Sequence, residues 1–282
     1  MERTILTEAV LEAYHGHLKA EEKSPATIEK YLRDARAFRQ SLPEGGEVTR
    51  EAVLQYKRTL TETRRAASAN SMLAALNSLL SFLRREDCRV RLVKVQRRCF
   101  RESSRELTRQ DYVRLVKAAK AAKKERLSLL LQTICSTGIR VSEHRFLTVQ
   151  ALQAGRVQIV NKGRERAVFL PDRLRGVLLQ YCKRKGIHEG PVFVSRSGRP
   201  LNRCNIWSEM KALCRLAGVD AKKVFPHNLR HLFAVTYYRM EKDIVRLADI
   251  LGHASVETTR IYTATCGDEC ARSLSRMRLL LC

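Results

Sequence analysis

No stretch of this 282-residue chain approaches the ~18 consecutive apolar residues that a membrane-spanning helix needs, so no such span and no membrane partner is expected. The first residues, Met1 to Val10, carry acids and lack an apolar signal core, which argues against export. The 9 cysteines show no framework spacing. Cys266 and Cys270, the nearest pair, have no second pair or histidine beside them. Neither a disulfide scaffold nor a zinc site is expected, and a reducing, cytoplasmic setting fits best. Internal repeats and low-complexity tracts are absent as well. Acids are scarce: 29 Asp and Glu stand against 54 Lys and Arg, a formal net charge of +25. An excess of that size favours a polyanionic partner, because phosphate neutralisation by Lys and Arg dominates nucleic-acid affinity. A ribosomal-type basic protein shares this composition; an anionic lipid surface fits it less well.

What the chain does have is material for a core, 44% of its residues being apolar. The first ~90 residues read as helices. Val10, Leu11, Tyr14 and Leu18 mark a first helix over Thr7 to Ala20. Ser24-Pro25 opens a second, with Ser as cap and Pro in the first turn; Ile28, Tyr31, Leu32, Ala35 and Phe38 line one face. Pro43-Glu44-Gly45-Gly46 ends it. Thr49 to Thr61 makes a third helix and Ser68 to Arg85 a fourth, with Met72, Leu73, Leu76, Leu79, Leu80 and Leu83 as its buried stripe. Four such helices close around one core. Lys30, Arg33, Arg64 and Arg65 on the outer faces are candidate DNA contacts, although a charged face is more often only a solvated one.

Residues 89–105 lose the apolar pattern and gain charge, Arg97 and Arg98 included, and read as a basic linker suited to a phosphate backbone. Helices follow at Thr108 to Ala121 and Lys124 to Ser136, the second ending at Gly138. Val157 to Val160 and Ala167 to Leu170 flank Asn161-Lys162-Gly163-Arg164-Glu165-Arg166, a hairpin signal that offers Arg164 and Arg166 to DNA. A helix from Pro171 to Arg184 and a short strand over Pro191 to Ser195 come next. Helices are then expected at Asn202 to Ala217, His227 to Met240, Ile244 to Leu251 and Ser255 to Tyr262.

Six residues in the C-terminal half, taken together, can break and rejoin a phosphodiester without metal. Such chemistry needs a nucleophile, a proton acceptor, charge stabilisation on the phosphoryl oxygens and a proton donor for the leaving oxygen. Tyr262 is the candidate nucleophile; its tyrosyl ester would keep the energy of the broken bond, so religation needs no ATP. Arg140 and Arg230 are planar, permanently charged forks that match phosphate oxygens, and Glu143 can orient Arg140 from behind. His227, three residues before Arg230 at a helix start, can accept the tyrosine proton. His253 can donate a hydrogen bond to the phosphate. Lys162, at the hairpin turn, can protonate the leaving oxygen or serve as one more phosphate contact. Each residue alone has a plainer reading: a packed tyrosine, a surface ion pair, a capping histidine.

These segments resemble the tyrosine recombinase (phage integrase) family. Thr137-Gly138-Ile139-Arg140-Val141-Ser142-Glu143, the Lys162 hairpin, His227-Asn228-Leu229-Arg230-His231, Leu251-Gly252-His253 and Arg260-Ile261-Tyr262-Thr263 fall in family order. The resemblance covers the chain from about Arg105 onward. Ser24 to Tyr31 extends it, less specifically, to the family's core-binding domain. It implies a mainly α protein: a SAM-like four-helix core-binding domain over 1–88, a linker over 89–105, and a mostly helical catalytic domain over 106–282 with a small antiparallel β-sheet. It implies Arg140 and Arg230 as activating arginines, Lys162 as general acid, His227 as general base, and Tyr262 as the residue that forms a 3′-phosphotyrosine. It further implies double-stranded DNA as partner, no cofactor, and a tetramer that exchanges strands through a Holliday junction but is monomeric when free. A DNA-binding relative that has lost cleavage and a type IB topoisomerase-like enzyme are the alternatives. His144 stands where many relatives have Leu, and Leu232 where a small hydroxyl residue is frequent.

Overall fold

The computed structural model describes residues 4–94, 106–161, 164–195, 197–262 and 275–276. The chain divides into two compact units, Met1–Arg97 and Arg98–Cys282. The first contains α1 (Glu8–Ala20), α2 (Pro25–Gln40), α3 (Arg50–Thr63) and α4 (Ala66–Phe82). Three of these helices start where a hydroxyl replaces a missing backbone acceptor. Thr7, Ser24 and Thr49 accept from the amides of Val10, Thr27 and Ala52, each cap stabilising its helix by about 1 kcal/mol. Leu11, Tyr14 and Leu18 meet Leu32, Phe38, Leu73, Leu76 and Leu80 in a single core.

The expected start of the linker needs correction. Cys88 and Val90 are buried in that same core and Val93 packs on it. Two side-chain amides of α4 hold the segment as a neighbouring strand would. Asn77 bonds both the carbonyl and the amide of Val90 (2.8 and 3.0 Å), and Asn70 does the same for Val93 (2.9 and 2.8 Å). Residues 89–94 therefore belong to the first unit. Arg97 and Arg98 lie outside the described residues.

The second unit begins with α5 (Arg109–Ala121), opened by a reciprocal cap between Thr108 and Asp111, and α6 (Glu125–Thr137). A 3-10 helix over Val141–Phe146 and a short α7 (Val149–Gln153) follow, neither of them expected from the sequence. Strands β1 (Arg156–Asn161) and β2 (Arg164–Phe169) pair antiparallel, Ile159 opposite Arg166 and Val157 opposite Val168. Then come α8 (Asp172–Lys185), α9 (Arg203–Ala217), α10 (Pro226–Glu241), α11 (Ile244–Leu251), α12 (Val256–Thr259) and a 3-10 turn, Arg260–Tyr262. The strand expected over Pro191 to Ser195 is replaced by isolated bridges, Thr148 to Pro191 and Val194 to Pro200. Val192 and Phe193 are fully buried there, so the apolar run reports core packing rather than a ladder. The main core joins Leu115, Leu130, Ile134, Val157, Leu178, Phe193, Met210 and Leu229. A smaller cluster joins Ala234, Val235, Leu247, Leu251 and Tyr262.

Gly138 ends α6 with φ of 67°, and a Cβ on it would lie 2.4 Å from Cδ1 of Phe233. Both the left-handed backbone and the contact resist any side chain. Gly138→Ala is expected to cost about 2–4 kcal/mol of unfolding free energy, read as a lower urea midpoint at unchanged slope.

Candidate active site

Arg140 precedes the 3-10 helix, and its position follows from Glu143 one turn on. Glu143 is 1% exposed; its carboxylate accepts from the Arg140 amide (2.7 Å) and from Arg140 Nη1 (2.9 Å). The same carboxylate accepts both Nη groups of Arg166, at 3.1 and 2.8 Å. Burial alone would raise the Glu143 pKa, but the hydrogen bonds from Arg166 and Arg140 outweigh it and hold the carboxyl below its usual range. Arg140 Nη2 reaches the carbonyl of Gly252 at 3.3 Å.

Arg230 lies in the first turns of α10 and is 2% exposed. Its Nη1 donates to the Gly138 carbonyl (2.5 Å) and its Nη2 to the Leu251 carbonyl (2.6 Å). Those carbonyls close the C-terminal ends of α6 and α11, where helical acceptors lack partners and the dipole is negative. Burial, and then the charge of Arg140, lower the Arg230 guanidinium to about 10, so it stays cationic at neutral pH. Nη2 also meets His253 Nε2 at 3.1 Å. A guanidinium only donates, so Nε2 accepts and the ring proton sits on Nδ1, 2.9 Å from Thr259 Oγ1. Burial, followed by the charges of Arg230, Arg140 and Arg166, pushes the His253 pKa down to about 4. In this arrangement His253 is a neutral acceptor, whereas the sequence suggested a donor to phosphate.

Those shifts carry a sign. Above pH 6.5 His253 is neutral in both folded and unfolded chains, and its contribution to stability is complete. As pH falls below 6.5 the unfolded chain binds a proton that the fold refuses, and stability drops until the folded group titrates near 4. His253→Gln is expected to flatten the dependence of the urea midpoint on pH across that window.

His227 opens α10 beside Pro226 and faces solvent. Partial burial, then Arg230, Arg140 and Arg203, lower its pKa, leaving it neutral and able to take a proton. Arg140, His227 and Arg230 line a cavity of about 820 Å³ together with Arg203 and Trp207 of α9. Tyr262 is 2% exposed. Its ring lies parallel to His253 (centroids 6.0 Å, 16°) and T-shaped against His231 (5.1 Å, 63°).

Arg140, Glu143, His227, Arg230, His253 and Tyr262 are thus joined within the second unit by direct contacts and a shared cavity. Lys162 and the side chain of Arg164 lie outside the described residues. Arg166 departs from the expected DNA contact, since its guanidinium is engaged by Glu143 and its side chain is 12% exposed. Among the other expected contacts, Lys30 is bonded to Asp34 and to the Ser71 carbonyl, while Arg33, Arg64 and Arg65 are exposed. Sequence reasoning passed over His231, although it shares a helical face with His227 four residues earlier.

Two guanidinium forks, two neutral imidazoles and a phenol gathered in this way form a set that can pass a phosphoryl group to a tyrosine. Residues 105–267 match the phage integrase family, and residues 11–87 match the phage integrase N-terminal SAM-like domain. The chain belongs to the phage integrase family and is a tyrosine-type site-specific DNA recombinase. It is 31% identical over 265 residues to the tyrosine recombinase XerD of Halalkalibacterium halodurans, covering 84% of this chain and 86% of that one. It is 29% identical over 290 residues to the tyrosine recombinase XerA of Pyrococcus furiosus, covering 99% and 97%. Its fold resembles a lambda integrase dimer bound to a COC′ core site (TM-score 0.73, 17% identity, 93% of this chain and 77% of that one). It also resembles the XerH site-specific recombinase bound to its difH substrate (TM-score 0.66, 21% identity, 95% and 84%).

Proposed function

We propose that Tyr262 is the nucleophile. Its phenol oxygen bonds to the scissile phosphorus while the P–O5′ bond breaks, giving a 3′-phosphotyrosine and a free 5′ hydroxyl; attack by an exchanged 5′ hydroxyl reverses the step. Arg140 and Arg230 hold the non-bridging oxygens. His227, neutral because its pKa is lowered, accepts the phenolic proton, and Lys162 supplies one to the leaving oxygen. His253 holds Arg230 and gives Tyr262 a ring to stack on. The reading rests above all on one observation: the imidazole that bonds Arg230 is the imidazole that stacks on Tyr262.

The partner is double-stranded DNA, engaged by a helical core-binding domain that extends to about Lys94 and by the catalytic domain from 106 onward, with a tetramer exchanging strands and a monomer when free. A solved structure that this fold resembles, a lambda integrase tetramer bound to a Holliday junction, favours the tetramer. No helix among the described residues is long and apolar enough to cross a membrane; with DNA as substrate, we place the enzyme in the cytoplasm.

The test uses a nicked duplex bearing the binding site recovered by selection from random-sequence DNA. A 3′-linked protein adduct should accumulate, in EDTA as well as without it, and binding should weaken steeply with salt. Relaxation of supercoils by a monomer without site preference would instead support the topoisomerase-like reading.

A further inference from the structure

Arg166 sits at a position where the pleat forbids an outward cation. On β2 it shares its side with Val168 and, just beyond the strand, Leu170, both buried, and it pairs opposite buried Ile159. What it meets inside is Glu143, whose two oxygens it binds fork to fork at 3.1 and 2.8 Å. Glu143 is at the same time bonded by the backbone and Nη1 of Arg140. One buried carboxylate therefore lies between two guanidiniums, and the trio keeps one net positive charge.

The Gly252 turn completes this arrangement. A Cβ on Gly252 would come within 2.6 Å of Arg166 Cδ and 2.7 Å of its Nη1. The Gly252 carbonyl accepts from Arg140 Nη2, and the next residue, His253, stacks on Tyr262. Arg166 thus lies beneath the turn that carries one part of the site and against the acid that aims another.

We propose that Arg166 is a positioning residue for strand cleavage: it shares the charge of Glu143, so that Arg140 keeps its own for the phosphate, and it braces the Gly252-His253 turn. Without it, Glu143 would pair with Arg140 alone and draw that guanidinium off the scissile phosphate, and the trio's net charge would vanish. The proposal rests on the assignment of Arg140 as a phosphate clamp.

The experiment compares Arg166→Gln, Arg166→Lys, Glu143→Gln, the Arg166→Gln/Glu143→Gln double variant and Arg140→Ala on the nicked duplex described above. Single-turnover adduct formation at saturating protein is read beside affinity, the slope of affinity with salt, and the urea midpoint. Arg166→Gln is expected to slow adduct formation about 10–100-fold, a loss much larger than the accompanying change in affinity. Arg166→Lys should recover part of the loss because it restores the charge. The double variant should cleave faster than Arg166→Gln, since the carboxylate that captures Arg140 is gone. A salt slope reduced by about one at an unchanged cleavage rate would make Arg166 a direct phosphate contact and overturn the proposal. So would a loss that neither Lys nor the double variant relieves and that follows the urea midpoint. If Arg140→Ala cleaves at full rate, the clamp assignment fails instead, and the two failures are thereby told apart.

Discussion

Tyr262→Phe is expected to abolish covalent capture of DNA while leaving duplex binding and the fold in place. The substitution is chosen by the packing. Tyr262 is buried in an apolar cluster with Leu247 and Leu251, stacked on His253 and T-shaped against His231. Phenylalanine keeps that ring, its volume and its stacking, and removes one oxygen. Unfolding free energy should change by no more than about 1 kcal/mol. Adduct formation on the nicked duplex should fall below detection, because no intermediate forms without the attacking atom. An adduct that survives the change would identify another nucleophile and end the assignment.

Arg230→Lys should lose about 10²–10³ in single-turnover cleavage. The charge remains but the fork does not. Arg230 spans three acceptors at once, the carbonyls of Gly138 and Leu251 and the Nε2 of His253. A lysine ammonium on a flexible stem cannot reproduce that geometry and also present two donors to a phosphate. The carbonyls ending α6 and α11 would lose their partner in a buried setting, at a cost of about 1–3 kcal/mol each if left unpaired. Cleavage should therefore fall together with the urea midpoint. Measurements at temperatures where both proteins are fully folded separate the two effects. Cleavage at the parental rate would mean that Arg230 holds helix ends together and does nothing for the phosphate.

Much of this is legible in the sequence alone. Ser24 announces a helix because capping is local: a hydroxyl, three residues, one amide. Gly138 announced its left-handed turn for the same reason. The hairpin is readable from two apolar runs that flank a polar turn with Gly163, and strand parity carries further information. Arg166 shares parity with Val168 and Leu170, and a cation in step with buried residues has a partner inside. Other features had no local signature. Asn70 and Asn77 bond backbone 23 and 13 residues away, so nothing local marks that contact and the segment after α4 reads as a linker. The apolar run at Val192-Phe193 had the composition of a strand, but a ladder needs a neighbour that runs alongside, and the fold supplies only single bridges. The site was legible as a set of residue types in order; the protonation of His253 was not, because it follows from a guanidinium brought in by another helix.

The manner in which Arg230 is held has a last consequence. Among the described residues its acceptors are two main-chain carbonyls and an imidazole, with no carboxylate among them. Such partners anchor the guanidinium without neutralising it, and Arg140 presses more positive charge on it from nearby. The two guanidiniums therefore repel one another, and a tetrahedral oxyanion small enough to enter offsets that repulsion. Sulfate, inorganic phosphate or vanadate in a buffer should act as a thermal stabiliser and, by the same contact, as a competitor of DNA.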